Sequence, residues 1–268
     1  MDYLKSVFLA VIEGVTEFLP ISSTGHLKLA EEFVDLGHGP EFAHAFIVII
    51  QLPAILSIVF YFWRDLWPFG GDREKRDAII LQWFKIAVAF LPAAVLGPLL
   101  NDAIEGVLSG TYVIAAALII GGMLLIVLER MHMTVRHETV RDIGFRVALG
   151  IGAFQCLAMI PGTSRSAATI IGAMMLGASR GAAAEFSFFL AIPTMIGATA
   201  YTVLKSGANF TGSQWGLIAT GSVVSFVTAY AVVAFLMNYI RKHDFSAFGW
   251  YRIALGVVVI VYFAFIAA

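Results

Sequence analysis

An unusual run of polar side chains lies near the start of an otherwise apolar sequence. It contains two carboxylates, three adjacent hydroxyls after a proline, a glycine and an imidazole: Glu13, Glu17, Pro20, Ser22, Ser23, Thr24, Gly25 and His26. In hydrocarbon an ionisable side chain costs about 2.5 to 3.5 kcal/mol at a helix centre, so such a cluster indicates a functional site. Glu13 and Glu17 are four residues apart and share one helix face, where they can bind a hard divalent cation such as Mg²⁺ or Ca²⁺.

A second polar segment interrupts a later apolar stretch and contains an arginine. It follows Pro161 and consists of Gly162, Thr163, Ser164, Arg165 and Ser166. A helix that begins after such a break presents free backbone N–H groups and a positive dipole end, which suit phosphate. The guanidinium adds bidentate phosphate binding, and we interpret Arg165 as the only arginine at this membrane depth. Carboxylates, a cation and an arginine together favour phosphoryl transfer.

The composition indicates a membrane protein. The 268 residues are 60% hydrophobic and 13% charged, and the mean hydropathy is +0.88, outside the range of soluble domains. A net charge of -1 argues against nucleic-acid binding. Cys156 is the only cysteine, so no intrachain disulfide and no cysteine metal cluster can form. No basic region with a small-residue cleavage site precedes Glu13, so we expect no removable targeting peptide.

Apolar runs predict an all-α integral membrane protein with six spans, since about 20 residues cross the hydrocarbon core. The runs lie at about 42–63, 86–100, 111–128, 182–204, 216–240 and 253–268. Two further stretches, about 4–29 and 147–178, are broken near the middle by Pro with Gly, Ser and Thr. We predict that each is a re-entrant helix hairpin whose break lines a cavity, because irregular backbone at membrane depth needs one.

The two broken stretches are related by position, which predicts an inverted-topology repeat. Pro20 and Pro161 are 141 residues apart, and Pro53 and Pro193 are 140 apart. Each half then holds one hairpin and three spans within a single membrane domain, 1–268, with repeats at about 1–130 and 146–268. Because three is odd, the second half enters from the opposite face, and the two breaks should meet near the midplane.

The distribution of basic residues predicts the orientation. They cluster in three loops: Arg64, Arg73, Lys75, Arg76 and Lys85, then Arg130, Arg136, Arg141 and Arg146, then Arg241, Lys242 and Arg252. The loops at about 101–110 and 205–214 carry one basic residue, Lys205. The positive-inside rule therefore places the three basic loops in the cytoplasm and both termini outside.

The motifs resemble those of the undecaprenyl-diphosphate phosphatases of the bacitracin-resistance type. The resemblance rests on Glu13-x-x-x-Glu17, Pro20-Ile-Ser-Ser-Thr-Gly-His26 and Pro161-Gly-Thr-Ser-Arg-Ser166, and it extends over the length and loop order of the chain. It implies an enzyme of the bacterial inner membrane that removes the terminal phosphate of undecaprenyl diphosphate and recycles the lipid carrier of cell-wall synthesis. It also implies a divalent cation and a site open to the outer side. It indicates no oligomeric state.

The resemblance implies a role for each polar residue. Glu13 and Glu17 hold the cation, and Arg165 and the two hydroxyl loops hold the diphosphate while the lipid tail lies between helices. Ser23 is the favoured nucleophile, and His26 takes its proton or protonates the leaving group. His26 as nucleophile and an activated water are the rival assignments.

A polyprenyl-phosphate transporter or flippase is the alternative function, because inverted repeats with broken helices are typical of secondary transporters. The combination of nucleophile, imidazole, carboxylates and arginine favours an enzyme, since a carrier needs only anion contacts. Lipid phosphatases with a Lys-x6-Arg-Pro signature are disfavoured, because the chain has no Arg-Pro dipeptide. Gln51 and Glu185 are predicted to support the site. The other histidines are interpreted as interfacial or loop residues: His38, His44, His132, His137 and His243.

Overall fold

Helices make up the regular secondary structure of the chain. The computed structural model describes residues 1–69, 71–131, 133–206 and 210–266, so His132 and part of one predicted outer loop, 207–209, lie outside it. The α-helices are α1 (Asp2–Thr16), α2 (Ser23–Glu31), α3 (Pro40–Tyr61), α4 (Trp63–Leu66), α5 (Arg73–Leu108), α6 (Thr111–Arg130), α7 (Phe145–Gln155), α8 (Arg165–Met175), α9 (Arg180–Ser206), α10 (Gly212–Tyr239) and α11 (Ser246–Phe265). Short 3₁₀ helices cover Val140–Asp142 and Cys156–Met159.

Six helices are long and apolar enough to cross a membrane, as the sequence predicts. They are α3, α5 as far as Leu100, α6, α9 as far as Leu204, α10 and α11. Large apolar side chains stand exposed on them, among them Phe84, Val127 and Val223, which is what a lipid-facing surface requires. The protein is therefore a multi-pass, all-α membrane protein.

The second span begins earlier than predicted, at Arg73 instead of at about residue 86. Asp72 caps the helix, because its Oδ1 accepts a hydrogen bond of 2.8 Å from the backbone N–H of Lys75. Polar residues therefore extend the helix before the apolar run begins. Lys85, which was predicted in a loop, lies inside α5, is 8% exposed and donates to the carbonyl of Arg141 at 2.8 Å.

Both broken stretches form pairs of short helices, with a break between α1 and α2 and another between α7 and α8. The second helix of each pair begins after a serine N-cap, Ser22 or Ser164, whose Oγ accepts from the backbone N–H three residues later. These two serines have φ of 72° and 71°, and among the described residues they are the only non-glycine residues with positive φ. Such a conformation costs on the order of 1–3 kcal/mol and persists only where the surroundings enforce it.

The helices pack at glycines that let backbones approach closely. α1 packs on α10 at Gly14, and α7 packs on α5 at Gly152, where a Cβ would collide with the carbonyl of Ala89. α6 packs on α11, and a Cβ on Gly122 would lie 2.6 Å from the carbonyl oxygen of Gly249. Small residues at such crossings are typical of membrane helix interfaces.

Arg252 corrects two predictions. It was assigned to the third cytoplasmic loop, but it lies in the second turn of α11 and its relative exposure is 0%. Arg165 is therefore not the only arginine at depth. A charge near the start of a span is indistinguishable from loop charge in a hydropathy profile, and its burial depends on partners far away in sequence.

Candidate active site

The two helix breaks meet at a small polar cavity of about 150 Å³. Its lining consists of Glu17, Ser23, Thr24, Gln51, Ala158, Gly162, Ser164, Arg165 and Met195. Ser23 and Thr24 belong to the first turn of α2, and Arg165 to the first turn of α8. The first N–H groups of a helix have no intrahelical acceptor, so two positive helix ends lie at one cavity.

Glu17 connects the two breaks. It caps the C-terminal end of α1 and is 6% exposed. Its Oε2 accepts a hydrogen bond of 2.7 Å from the Ser23 hydroxyl, and its Oε1 accepts one of 3.1 Å from Nη2 of Arg165. A hydroxyl held by a carboxylate is the arrangement in which a base activates a nucleophile.

Arg165 retains donor capacity beside the cavity. Its side chain is held at two points, because Nη2 donates to Glu17 and Nη1 donates to the carbonyl of Ser187 at 3.0 Å. Its buried Nε has no hydrogen-bond partner among the described residues. Because a guanidinium carries five N–H donors in a rigid fork, Arg165 can bind an anion in the cavity without losing its anchor on Ser187.

The hydroxyls and glycines predicted to bind substrate divide into two groups. Thr24, Gly162 and Ser164 line the cavity together with Ser23. The others are engaged in shaping the breaks: Ser22 Oγ accepts from the N–H of Gly25 at 3.4 Å, Ser166 Oγ donates to the carbonyl of Leu19 at 2.9 Å, and the carbonyl of Thr163 accepts from Arg252 at 3.0 Å.

Glu13 lies one turn before Glu17 on α1 and is completely buried. Neither of its carboxylate oxygens has a hydrogen-bond partner within the described part of the chain. Its polar neighbours include Glu17 and Gln51. A buried carboxylate without a partner is costly, so this group is available to a cation.

The donor set fits the divalent cation that the family resemblance implies. Among the described residues no group of three His, Cys, Asp or Glu side chains could hold a metal ion. Mg²⁺, however, is commonly bound by one or two carboxylates together with substrate phosphates and water. The carboxylate of Glu13, with Glu17 and Gln51 as polar neighbours, matches that pattern.

Within the described part of the chain, His26 forms no hydrogen bond with Ser23. Its Nδ1 lies 2.7 Å from the carbonyl oxygen of Ser22, and its Nε2 lies 2.7 Å from the hydroxyl of Tyr251. Because a carbonyl only accepts, Nδ1 carries the hydrogen, and in the neutral ring Nε2 accepts from Tyr251. The Ser23 hydroxyl instead donates to Oε2 of Glu17 at 2.7 Å.

Comparisons with known proteins identify the family of the chain. The family model for bacitracin resistance protein BacA matches residues 6–258. The chain belongs to the BacA family. It is similar to undecaprenyl-diphosphatase 1 of Clostridioides difficile, with 46% identity over 266 residues that cover 98% of this chain and 97% of that protein. It is also similar to the undecaprenyl-diphosphatase of Enterococcus faecalis, with 48% identity over 268 residues and 97% of each chain covered.

Sequence reasoning missed three partners of the site in this BacA-family protein. Ser187 contributes a backbone carbonyl, which no side-chain pattern reveals. Tyr251 and Arg252 lie on α11, more than 220 residues after the first break. The sequence signal that could have revealed Arg252 was an arginine inside an apolar 20-residue helix. Of the predicted supporting residues, Gln51 lines the cavity, whereas the charged neighbours of Glu185 are Asp65 and Arg141, outside the cavity lining.

Proposed function

We propose that the protein hydrolyses undecaprenyl diphosphate to undecaprenyl phosphate and inorganic phosphate, and so recycles the lipid carrier of cell-wall synthesis in the bacterial plasma membrane. One observation carries the proposal: a single carboxylate, Glu17, binds both the Ser23 hydroxyl and the Arg165 guanidinium at a cavity that two helix N-termini enclose. The substrate follows from the similar proteins, which are undecaprenyl-diphosphatases.

Ser23 is the proposed nucleophile. Its Oγ attacks the terminal phosphorus, the bond from that phosphorus to the bridging oxygen breaks, and undecaprenyl phosphate leaves. Glu17, 2.7 Å from the hydroxyl, accepts the proton. Water then attacks the phosphoserine, inorganic phosphate departs and Ser23 regains a proton. Rapid quenching should trap phosphate on Ser23. A phosphate on His26, or no phosphoenzyme at all, would favour the rival assignments.

Arg165 and the two helix N-termini bind the terminal phosphate in this proposal. The free Nε of Arg165 and the first-turn N–H groups of α2 and α8 offer donors where charge develops on the phosphoryl oxygens. A phosphate that binds Arg165 also competes with Glu17 for the guanidinium. Substrate binding would therefore release Glu17 from its ion pair and make it a stronger base.

A bound divalent cation would complete the charge balance. Glu13, Glu17 and the diphosphate would place several negative charges in a buried space beside Arg165, and such charges need compensation. Glu13, with Glu17 and Gln51, would hold the ion, and a bound ion would neutralise phosphate charge and orient the diphosphate.

We also propose that the fold is an inverted repeat of two re-entrant hairpins and six spans. The packing supports it, since α1 contacts α10 while its counterpart α7 contacts α5, the counterpart of α10. α6 and α11, a corresponding pair, cross at Gly122 and Gly249, and each glycine faces the other's carbonyl oxygen at 2.6–2.8 Å from an ideal Cβ.

We propose that the site opens to the cell exterior, as the family resemblance implies, and contacts between helix ends support the orientation of the chain behind this proposal. Arg180 at the start of α9 forms an ion pair with Glu129 at the end of α6, and Glu129 also accepts from the N–H of Phe245 beside α11. These helix ends share one face with the basic loops, which the positive-inside rule assigns to the cytoplasm. The start of α1 lies at the other face, because Ser6 donates to Leu217 near the start of α10.

Phosphate release tests the proposal. Purified protein should release phosphate from undecaprenyl diphosphate, EDTA should suppress the release, Mg²⁺ or Ca²⁺ should restore it, and Arg165→Ala should abolish it. Release that is independent of both the cation and Arg165 would contradict the assigned site. No release, with transfer of intact lipid across a vesicle membrane, would support the carrier instead.

A further inference from the structure

Arg252 is a fully buried arginine that makes no contact with a carboxylate in the described part of the chain. Its guanidinium donates only to backbone carbonyls. Nη1 donates to Pro20 at 3.3 Å, and Nη2 donates to Gly162 at 3.2 Å and to Thr163 at 3.0 Å. Nε and Nη2 also donate to Leu118 and Ala117 of α6 at 3.3 and 3.0 Å.

These acceptors belong to three segments that lie far apart in the sequence. One carbonyl comes from the first break, two come from the second break, and two come from the middle of α6. A buried guanidinium without a counter-ion is expensive, so its retention needs a reason. We propose that Arg252 is a positioning residue. It holds the two breaks in fixed relative positions and thereby orients backbone N–H donors toward the catalytic cavity. The inference rests on the proposed phosphatase function.

Peptide geometry connects Arg252 to the cavity. Because a peptide unit is planar and trans, an N–H points away from the carbonyl of the preceding residue. The carbonyl of Thr163 points at Arg252, so the N–H of Ser164 points in the opposite direction, and Ser164 lines the cavity. Arg252 therefore fixes the orientation of a backbone donor at the start of α8.

The residue before Arg252 acts on the other break. Tyr251 contacts His26, and His26 donates to the carbonyl of Ser22. By the same geometry the N–H of Ser23 points away from His26, and Ser23 lines the cavity. Neighbouring residues of α11 thus restrain both strained N-caps, the two serines with positive φ. Conformations of that kind need such external restraint.

Arg252→Lys is the sharpest test, because it keeps the positive charge but removes the planar guanidinium with its several N–H donors. One ammonium cannot reach carbonyls in three segments. We expect kcat to fall about 100-fold with KM changed by less than about threefold, since misplacement of catalytic groups weakens transition-state contacts more than binding. Hydrogen exchange should accelerate in peptides that cover both breaks, at about residues 17–23 and 160–166. Arg180→Lys is the matched control, because Arg180 donates several hydrogen bonds to Glu129 away from the cavity.

A second variant, Gly121→Ala, keeps Arg252 in the sequence but displaces its guanidinium. A Cβ on Gly121 would collide with Nη2 of Arg252, the end of a side chain that can move. Gly121→Ala should therefore reproduce the pattern with a smaller loss of kcat. Gly97→Ala, where the added carbon meets no atom within 4 Å, should leave kcat unchanged.

The two readouts separate this inference from the proposed function. Hydrogen exchange needs no substrate, so it tests the positioning role even if the wild-type protein releases no phosphate. Faster exchange at both breaks in Arg252→Lys, with exchange there unchanged in Arg180→Lys, would support the role. Unchanged exchange at the breaks, or a kcat within about twofold of wild type in the folded variant, would overturn it.

Discussion

Glu17→Gln separates the two interactions of the Glu17 carboxylate, the hydrogen bond from Ser23 and the ion pair with Arg165. The amide has the shape of the carboxyl group and can still accept from Ser23, but it carries no charge for Arg165. Glu17 and Arg165 are 6% and 9% exposed, and Nη2 lies 3.1 Å from Oε1. Breaking a buried pair by removing one partner costs about 3–5 kcal/mol. We expect the free energy of unfolding to fall by about 3–5 kcal/mol. The decrease should be smaller when an anion occupies the cavity.

The effect on catalysis should be larger in kcat than in KM. Removal of a general base lowers the rate by about 10²–10⁴-fold, and Glu17 is the group in contact with the Ser23 hydroxyl. At the same time Arg165 loses its competitor for phosphate. At a saturating concentration of the divalent cation, the Michaelis constant should therefore stay constant or fall, which is opposite to the result expected for a lost binding residue.

Phosphate release and thermal unfolding of Glu17→Gln, Ser23→Ala and the double variant provide the assay. If Glu17 acts through Ser23, the double variant should be no slower than the slower single variant, because residues that act as one unit are not additive. Multiplied losses in the double variant would refute the assignment of Glu17 as the base for Ser23. A KM that rises with unchanged kcat would refute it as well.

Three further perturbations have defined outcomes. Tyr251→Phe removes one hydrogen bond from His26, and since such a bond contributes about 0.5–1.5 kcal/mol, kcat should fall by about two- to tenfold; an unchanged kcat would contradict a positioning role for the His26–Tyr251 pair. Gly152→Ala should lower stability by about 1–3 kcal/mol, because its methyl meets the carbonyl of Ala89, whereas Gly97→Ala should not; equal melting temperatures would contradict the close packing. Chelation should stop phosphate release without unfolding the protein, and full activity in EDTA would exclude the cation.

The sequence predicts the spans and the breaks because both follow from local chemistry. Apolar length fixes the six spanning helices, and Pro20 and Pro161 with their polar neighbours mark where helices cannot continue. Ser22 and Ser164 are good N-cap residues, and each begins a helix as capping chemistry requires. Five polar residues at the cavity could be named from the two polar segments around those breaks: Glu17, Ser23, Thr24, Ser164 and Arg165.

Contacts made over long sequence distances could not be predicted in this way. The pairing of Ser23 with Glu17 depends on how the chain turns between residues 17 and 22, and spacing alone favoured His26. The burial of Arg252 depends on carbonyls of Pro20, Gly162 and α6, which only the tertiary fold brings together. Local patterns contain no information on such partners.

Product analysis in sealed vesicles tests the central claim most directly. Reconstituted wild-type protein should convert undecaprenyl diphosphate to undecaprenyl phosphate with one inorganic phosphate released per lipid. Ser23→Ala and Arg165→Ala, folded and equally reconstituted, should leave the diphosphate intact. Conversion by both variants at the wild-type rate, or diphosphate that crosses the wild-type vesicle membrane without being cleaved, would contradict a phosphatase site at this cavity.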